Sequence, residues 1–224
     1  MNTKISNFII LSGVLIVIFI TPIIFFALAP FVFNLDGMIF LKICIELLPY
    51  IFMVSFIILI CYIQRKPILE TIGFSKDRIG NQFINCIIIF IITSAFIIIP
   101  LLLGVNKHDI LGSKASKAWI LIYQIIKNII FIGIGEELIW RGYILNEFKS
   151  LIKSPVTAVI ISSILFGLWH YSASHNLMQV LMTSILGGIY GFAIIKLKNC
   201  TTLSVGLAHG FHDAIIIILS YVFL

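Results

Sequence analysis

Glu136 and Glu137 stand side by side, and Arg141 follows, in a stretch reading GEELIWRG inside an otherwise apolar run. Helix residues four apart share a face, so Glu137 and Arg141 can pair. Glu136 is rotated about 100° from its neighbour and has no partner on its own helix. In one reading both glutamates serve Arg141 in a polar packing knot. In the other, Arg141 holds Glu137 while Glu136 faces a watery cavity, where a carboxylate can pass protons to and from a reacting group. Two later clusters bear on the choice. Phe166-Gly167-Leu168-Trp169-His170 ends in a histidine, and His209-Gly210-Phe211-His212-Asp213 sets His209 and Asp213 four apart on one face. Asp213 can orient His209 or His212, or accept a proton. A lone histidine on an apolar helix is more often a hydrogen-bonded packing residue, so neither cluster decides the matter alone.

The elements that must position these groups are apolar enough to cross a bilayer. Of 224 residues, 61% are hydrophobic and 11% charged, against about 25% charged in soluble domains. Seven apolar segments are expected, roughly 8–33, 38–63, 82–105, 117–147, 155–172, 176–195 and 201–223, each near the ~20 residues that a spanning helix needs. The fold class is therefore an all-α polytopic membrane helical bundle of about seven transmembrane helices, with eight as the alternative. The fourth segment is long enough to tilt or to continue along the interface. The first is too long for a signal-peptide core and reads as a retained helix. Cys44, Cys61, Cys86 and Cys200 show no paired spacing, which suits small buried hydrophobes. The net charge of +6 reports lysine-rich loops, not nucleic-acid binding.

The loop charges set an orientation. Lys4, Arg65, Lys66, Lys76, Arg78, Lys149, Lys153, Lys196 and Lys198 fall at one end of the bundle. Lys107, Lys114 and Lys117 fall at the other. The positive-inside bias then places the N-terminus in the cytoplasm and the C-terminus outside. Measured from the cytoplasmic end at 1.5 Å per residue, Glu136, His170 and His209 lie about 18, 22 and 12 Å deep, one shared layer. Ionisable groups in a bilayer are costly and usually functional. Of the nine here (Glu46, Lys127, Glu136, Glu137, Arg141, His170, His209, His212 and Asp213), only Glu46 lies in the first half of the chain. Three helices delivering Glu, His and His-plus-Asp to one depth read as a site. Because charged groups need water that lipid lacks, a funnel from the cytoplasm is expected to reach it, walled by the fourth to seventh helices.

Other features read as structural. Glu46 can pair with Lys42. Pro22, Pro30, Pro49 and Pro100 kink or end helices, and the Gly187–Gly191 spacing makes a packing seam. Gly167 and Gly206, each three residues before a histidine, would let a neighbouring helix come close. His108 and His175 fall in loops.

The three motifs together, EExxxR over Glu136–Arg141, FxxxH over Phe166–His170 and HxxxD over His209–Asp213, resemble those of the CAAX protease and bacteriocin-processing (CPBP, or Abi) family of intramembrane proteases. They occur in that family's order, over roughly residues 117–215. The resemblance implies a catalytic core over 117–224, preceded by three spans over 1–116. It implies an endopeptidase in which Glu136 activates water with help from His170, while His209 and Asp213 stabilise the oxyanion. Glu137, Arg141, Phe166 and His212 would support them. The family also carries asparagine at the last position. An ionised aspartate donates no hydrogen bond, so Asp213 must be protonated or act by orienting a histidine. No cofactor is favoured. Zinc on Glu136, His170 and His209 is the alternative, although the sequence has no HExxH.

Expected partners are a peptide or membrane-protein substrate and the lipid bilayer, with no nucleic acid. Leader or signalling peptides suit an Ile-, Lys- and Asn-rich chain that reads as a Gram-positive bacterial cell-membrane protein. Two other functions compete: a non-catalytic immunity or scaffold protein of the same fold, and a proton-coupled transporter. The intact Glu136, His170 and His209 set speaks against the first. The lack of an inverted partner in the first three helices speaks against the second.

Overall fold

The computed structural model describes residues 3–33, 39–112 and 117–224. Lys114 and the start of the second expected segment, Met38, lie outside them. The regular structure among these residues is all helical, as lipid requires: only a helix satisfies its own backbone polar groups where water is absent. In order they are α1 (Thr3–Phe33), α2 (Ile39–Ile63), α3 (Ile68–Thr71), α4 (Ile79–Leu102), α5 (Lys107–Leu111), α6 (Ala118–Ile152), α7 (Pro155–Ser174), α8 (Leu177–Lys196) and α9 (Thr202–Phe223). Seven are long and apolar enough to span a membrane. The short α3 and α5 fall in stretches read from sequence as loops.

Caps explain the tight turns between the last four helices. The Ser154 hydroxyl accepts the Thr157 N–H, with Pro155 at the first helical position, where its missing donor costs nothing. The Asn176 side chain accepts the Met178 and Gln179 N–H groups, and Thr201 and Ser204 form a capping box. The sequence places the end of the fourth segment near residue 147, but α6 runs on to Ile152. Its final turns are held by Lys66 bonding Glu147 and by Asn146 donating to the Thr71 carbonyl. At 35 residues, α6 measures about 52 Å by helix rise, well beyond the ~30 Å hydrocarbon core.

Two π-helical stretches, Asn128–Ile134 and Leu138–Ile144, flank the three α-helical residues Gly135–Glu137. A π turn takes an extra residue and re-aims the side chains around it, and such turns often occur at functional sites.

Helix α9 is central: half of its span is buried inside the protein, against 11% of α2. It meets α6 where a Cβ on Gly133 would lie 2.4 Å from the Gly210 amide nitrogen and one on Gly206 3.0 Å from the Ile134 Cα, so the two backbones touch through glycine. The other expected close approaches fall on α7 and α8. Gly167 abuts Ser184 and the Val180 carbonyl, and Gly191 abuts Val159.

An aromatic cluster of Trp140, Phe166 and Trp169 joins α6 to α7, with ring centroids 5.5–6.5 Å apart. Pro22 in α1 cannot donate to the Ile18 carbonyl four residues earlier. The Trp169 indole N–H takes that acceptor at 3.0 Å, tying α1 to the helix that carries His170.

The α3 segment closes the basic end of the bundle. The Thr202 hydroxyl donates to the Ile72 carbonyl at 2.8 Å and the Thr202 N–H to Gly73 O at 3.1 Å. Gly142 lies against the Ile72 backbone with no room for a Cβ.

Candidate active site

Glu136 and Glu137 point to different places. Glu136, 2% exposed, lines a cavity of about 580 Å³. Glu137 is absent from that lining and turns into the protein. Its Oε1 accepts from Arg141 Nη1 at 2.9 Å and from His209 Nδ1 at 3.1 Å. The Arg141 guanidinium is fully buried, lying 4.3 Å over the Phe166 ring. A Cβ on Gly187 would come 2.5 Å from Arg141 Nη2, so the glycine of the α8 seam makes room for the cation.

His170 faces Glu136 from α7, its Nε2 3.9 Å from Glu136 Oε2. The His170 Nδ1 lies 2.9 Å from the Phe166 carbonyl. A carbonyl only accepts, so Nδ1 carries the proton, and Nε2 of the neutral ring presents its lone pair to the glutamate. Two acceptors 3.9 Å apart suit one water molecule. Placed at about 2.8 Å from each, it would subtend about 90° and donate one proton to either side.

His209 lies across the cavity, stacked on Tyr190 with centroids 5.2 Å apart. Its Nδ1 meets Glu137, and its Nε2 lies 3.6 Å from Asp213 Oδ2. The spacing of His209 and Asp213 thus gives the contact expected of it. The tighter partner, Glu137 from another helix, was not apparent. Phe166 touches both histidine rings edge-on, at 4.5 and 6.1 Å. His212 is buried and lines the same cavity, and its Nδ1 has no hydrogen-bond partner among the described residues.

Both His209 nitrogens are directed at carboxylates other than Glu136. Among the described residues no three His, Cys, Asp or Glu side chains converge as metal ligands.

Glu46 takes partners across a helix gap, from Lys127 Nζ at 2.5 Å and the Tyr123 hydroxyl at 2.6 Å. Spacing within α2 points to Lys42 alone, because i,i+4 spacing shows only partners on the same helix. One expectation needs correction: among the described residues, the cavity that holds Glu136 does not open toward the basic end, where the funnel was expected. From the glutamate the cavity runs toward Glu46, Lys127, Ser172, Gln179 and Thr183, at the end of the bundle opposite the basic loops. The α3 segment occludes the basic end. Helix depth gave the level of the site but not the end at which the helices part.

Sequence reasoning also missed the contribution of α2. Tyr50, Pro49 and Glu46 line the cavity, although the funnel was expected to be walled by the fourth to seventh helices alone. A tyrosine beside a proline was the available signal.

The elements that carry Glu136, His170, His209 and Asp213 are also those found by comparison with protein families. Residues 118–215, under half of the chain, are similar to one family. They match the family model described as type II CAAX prenyl endopeptidase Rce1-like, in agreement with the motif resemblance. No curated protein and no solved structure matches the chain. The Rce1-like region spans α6 to the middle of α9 and so includes all three motifs. The cavity wall from α2 lies outside it. The match supports an intramembrane protease in general terms, in a multi-pass membrane protein.

Proposed function

We propose that the chain is an intramembrane endopeptidase in which Glu136 is the general base. The observation that carries this is the pairing of acceptors at the cavity wall, Glu136 Oε2 and His170 Nε2, 3.9 Å apart, beside a neighbouring glutamate committed elsewhere. A water held between them gives a proton to Glu136 as its oxygen attacks the substrate carbonyl carbon. The C=O electron pair moves onto the carbonyl oxygen. Collapse re-forms the C=O, the C–N bond breaks, and the amine leaves with the proton returned by Glu136. His209, fixed by Glu137 and Asp213, stands opposite to polarise the carbonyl. Asp213 acts in this scheme by orienting His209, since an ionised carboxylate cannot donate to an oxyanion.

The test is cleavage of a pooled library of internally quenched peptides, some ending in farnesylated cysteine motifs, by the full chain in lipid vesicles, with products read by mass spectrometry. Cleavage by wild type and none by Glu136→Gln supports the reading. Activity is expected to survive exhaustive chelation. Stoichiometric zinc that restores activity after its removal would overturn the metal-free mechanism.

The substrate class fits the mouth of the cavity, which carries Glu46, Lys127, Gln179 and Thr183 and so suits an extended, polar peptide backbone entering beside the bilayer. With the basic loops cytoplasmic, this mouth faces outside. A Gln179→Cys protein in a cysteine-free background is expected to react with an impermeant thiol reagent added to intact cells. Reaction only after the cytoplasmic side is opened would reverse the orientation.

A further inference from the structure

The cavity holds charge at its mouth as well as at Glu136. Glu46 on α2 joins Tyr123 and Lys127 on α6 there. Its Oε1 accepts from Lys127 Nζ at 2.5 Å and its Oε2 from the Tyr123 hydroxyl at 2.6 Å. Glu46 and Lys127 line the same cavity as Glu136, and neither belongs to the three motifs. The Glu46 side chain is 36% exposed and that of Lys127 15%, so the carboxylate is the more open of the two. A carboxylate offers about four lone-pair sites, and Lys127 and Tyr123 take one on each oxygen. Glu46 can therefore accept from a further donor without giving up either partner.

The charge of the cavity selects that donor. Among the described residues its lining carries three carboxylates, Glu46, Glu136 and Asp213, against one ammonium, Lys127. Glu137 and Arg141 cancel each other behind the wall. With Glu136 ionised, as a general base requires, the lining bears net negative charge even with a proton on His209. Low-dielectric walls focus such a field along a cleft. A substrate carboxylate is repelled there, and a cation is drawn in.

We infer that Glu46 is a specificity-determining residue. It binds a cationic group of the substrate, either a lysine or arginine side chain or a free N-terminal ammonium, while the scissile bond lies at Glu136. This rests on the protease reading above. The spacing follows from α6. Lys127, which holds Glu46, stands nine residues before Glu136, about 13 Å by helix rise. An extended peptide covers that in about four residues at roughly 3.3 Å each. The cation is therefore expected about four residues from the cleaved bond.

The experiment uses the full chain in vesicles. The fastest-cleaved peptide of the quenched library is remade with Lys, Gln or Glu at each position in turn, and with a free or an acetylated N-terminus. Wild type, Glu46→Gln and Glu46→Gln/Lys127→Gln are compared by the ratio of kcat/KM for cationic over neutral forms. Each ratio is read within one protein sample, so a loss of folded protein cancels, and the double variant strands no ammonium. Wild type is expected to favour one cation roughly tenfold, through KM. An internal lysine at that position would identify a side-chain cation, and the free N-terminus the ammonium. Both variants should bring the ratio close to one. Equal use of cationic and neutral peptides by wild type, a cation preference that survives in Glu46→Gln, or a preference for Glu over Gln would overturn the assignment while leaving Glu136 in place. A second measurement follows binding of dye-labelled host peptides carrying a single Lys, Gln or Glu to Glu136→Gln and to Glu46→Gln/Glu136→Gln. Wild type no more active than Glu136→Gln would overturn the protease reading. A lysine preference in binding that Glu46→Gln removes would then support Glu46 as a cation site in its own right, and no such preference would overturn that as well.

Discussion

Replacing Glu136 with glutamine is expected to leave a folded protein of normal abundance and to lower peptide cleavage by about 10²–10⁴-fold, the usual contribution of a positioned general base. Glutamine keeps the shape of glutamate and loses the ability to take a proton. The fold should tolerate it because Glu136 Oε2 makes no hydrogen bond among the described residues. Its contact with His170, at 3.9 Å, is too long for a direct bond. Rates on the fastest-cleaved library peptide, at equal protein and with melting curves alongside, check this. A Glu136→Gln protein that melts early would mean that the carboxylate is structural. One that cleaves normally would remove it from the chemistry.

Glu137→Gln is expected to do the opposite, with the larger effect on stability. The Glu137 and Arg141 side chains are both fully buried, and one oxygen of Glu137 serves Arg141 and His209 together. Removing one partner of a buried ion pair leaves the other charge uncompensated, which typically costs about 3–5 kcal/mol. The single variant should therefore fall in abundance and melting temperature, and cleavage should fall too because His209 loses its anchor. The double variant Glu137→Gln/Arg141→Met should recover much of the abundance, since no lone charge remains, and little of the activity. Equal stability of wild type and Glu137→Gln would show that Arg141 has another counter-ion.

These contrasting expectations show how far the sequence could be read. That Glu137 pairs with Arg141 followed from their spacing, and the shared depth of Glu136, His170 and His209 followed from counting residues along helices. Both needed only 3.6-residue periodicity and the cost of charge in lipid. The Glu137–His209 contact did not follow, because partners 72 residues apart are brought together by packing that no local pattern encodes. Nor did the π turns on either side of Gly135–Glu137, whose extra residue per turn breaks that periodicity where the chemistry sits. The role of Gly133 against Gly210, and of Gly187 beneath Arg141, became clear only when the neighbouring backbone and cation were placed. The direction of the cavity was misjudged for a related reason. The basic loops mark a side of the membrane, but the plug is the α3 segment, whose closure rests on backbone acceptors at Ile72 and Gly73. Tyr50 was overlooked because α2 carries no motif and its phenol is polar only at the tip.

The central claim is that water activated at Glu136 hydrolyses a peptide bond, and the most direct test follows the oxygen. Wild type and Glu136→Gln, in vesicles at equal amounts, would be given the quenched-peptide library in water enriched in oxygen-18, with the new C-termini read by mass spectrometry. The expected result is one labelled oxygen in each carboxyl group newly released by wild type, and no such products from Glu136→Gln. Labelled products formed equally by both proteins, or none formed by wild type, would contradict it.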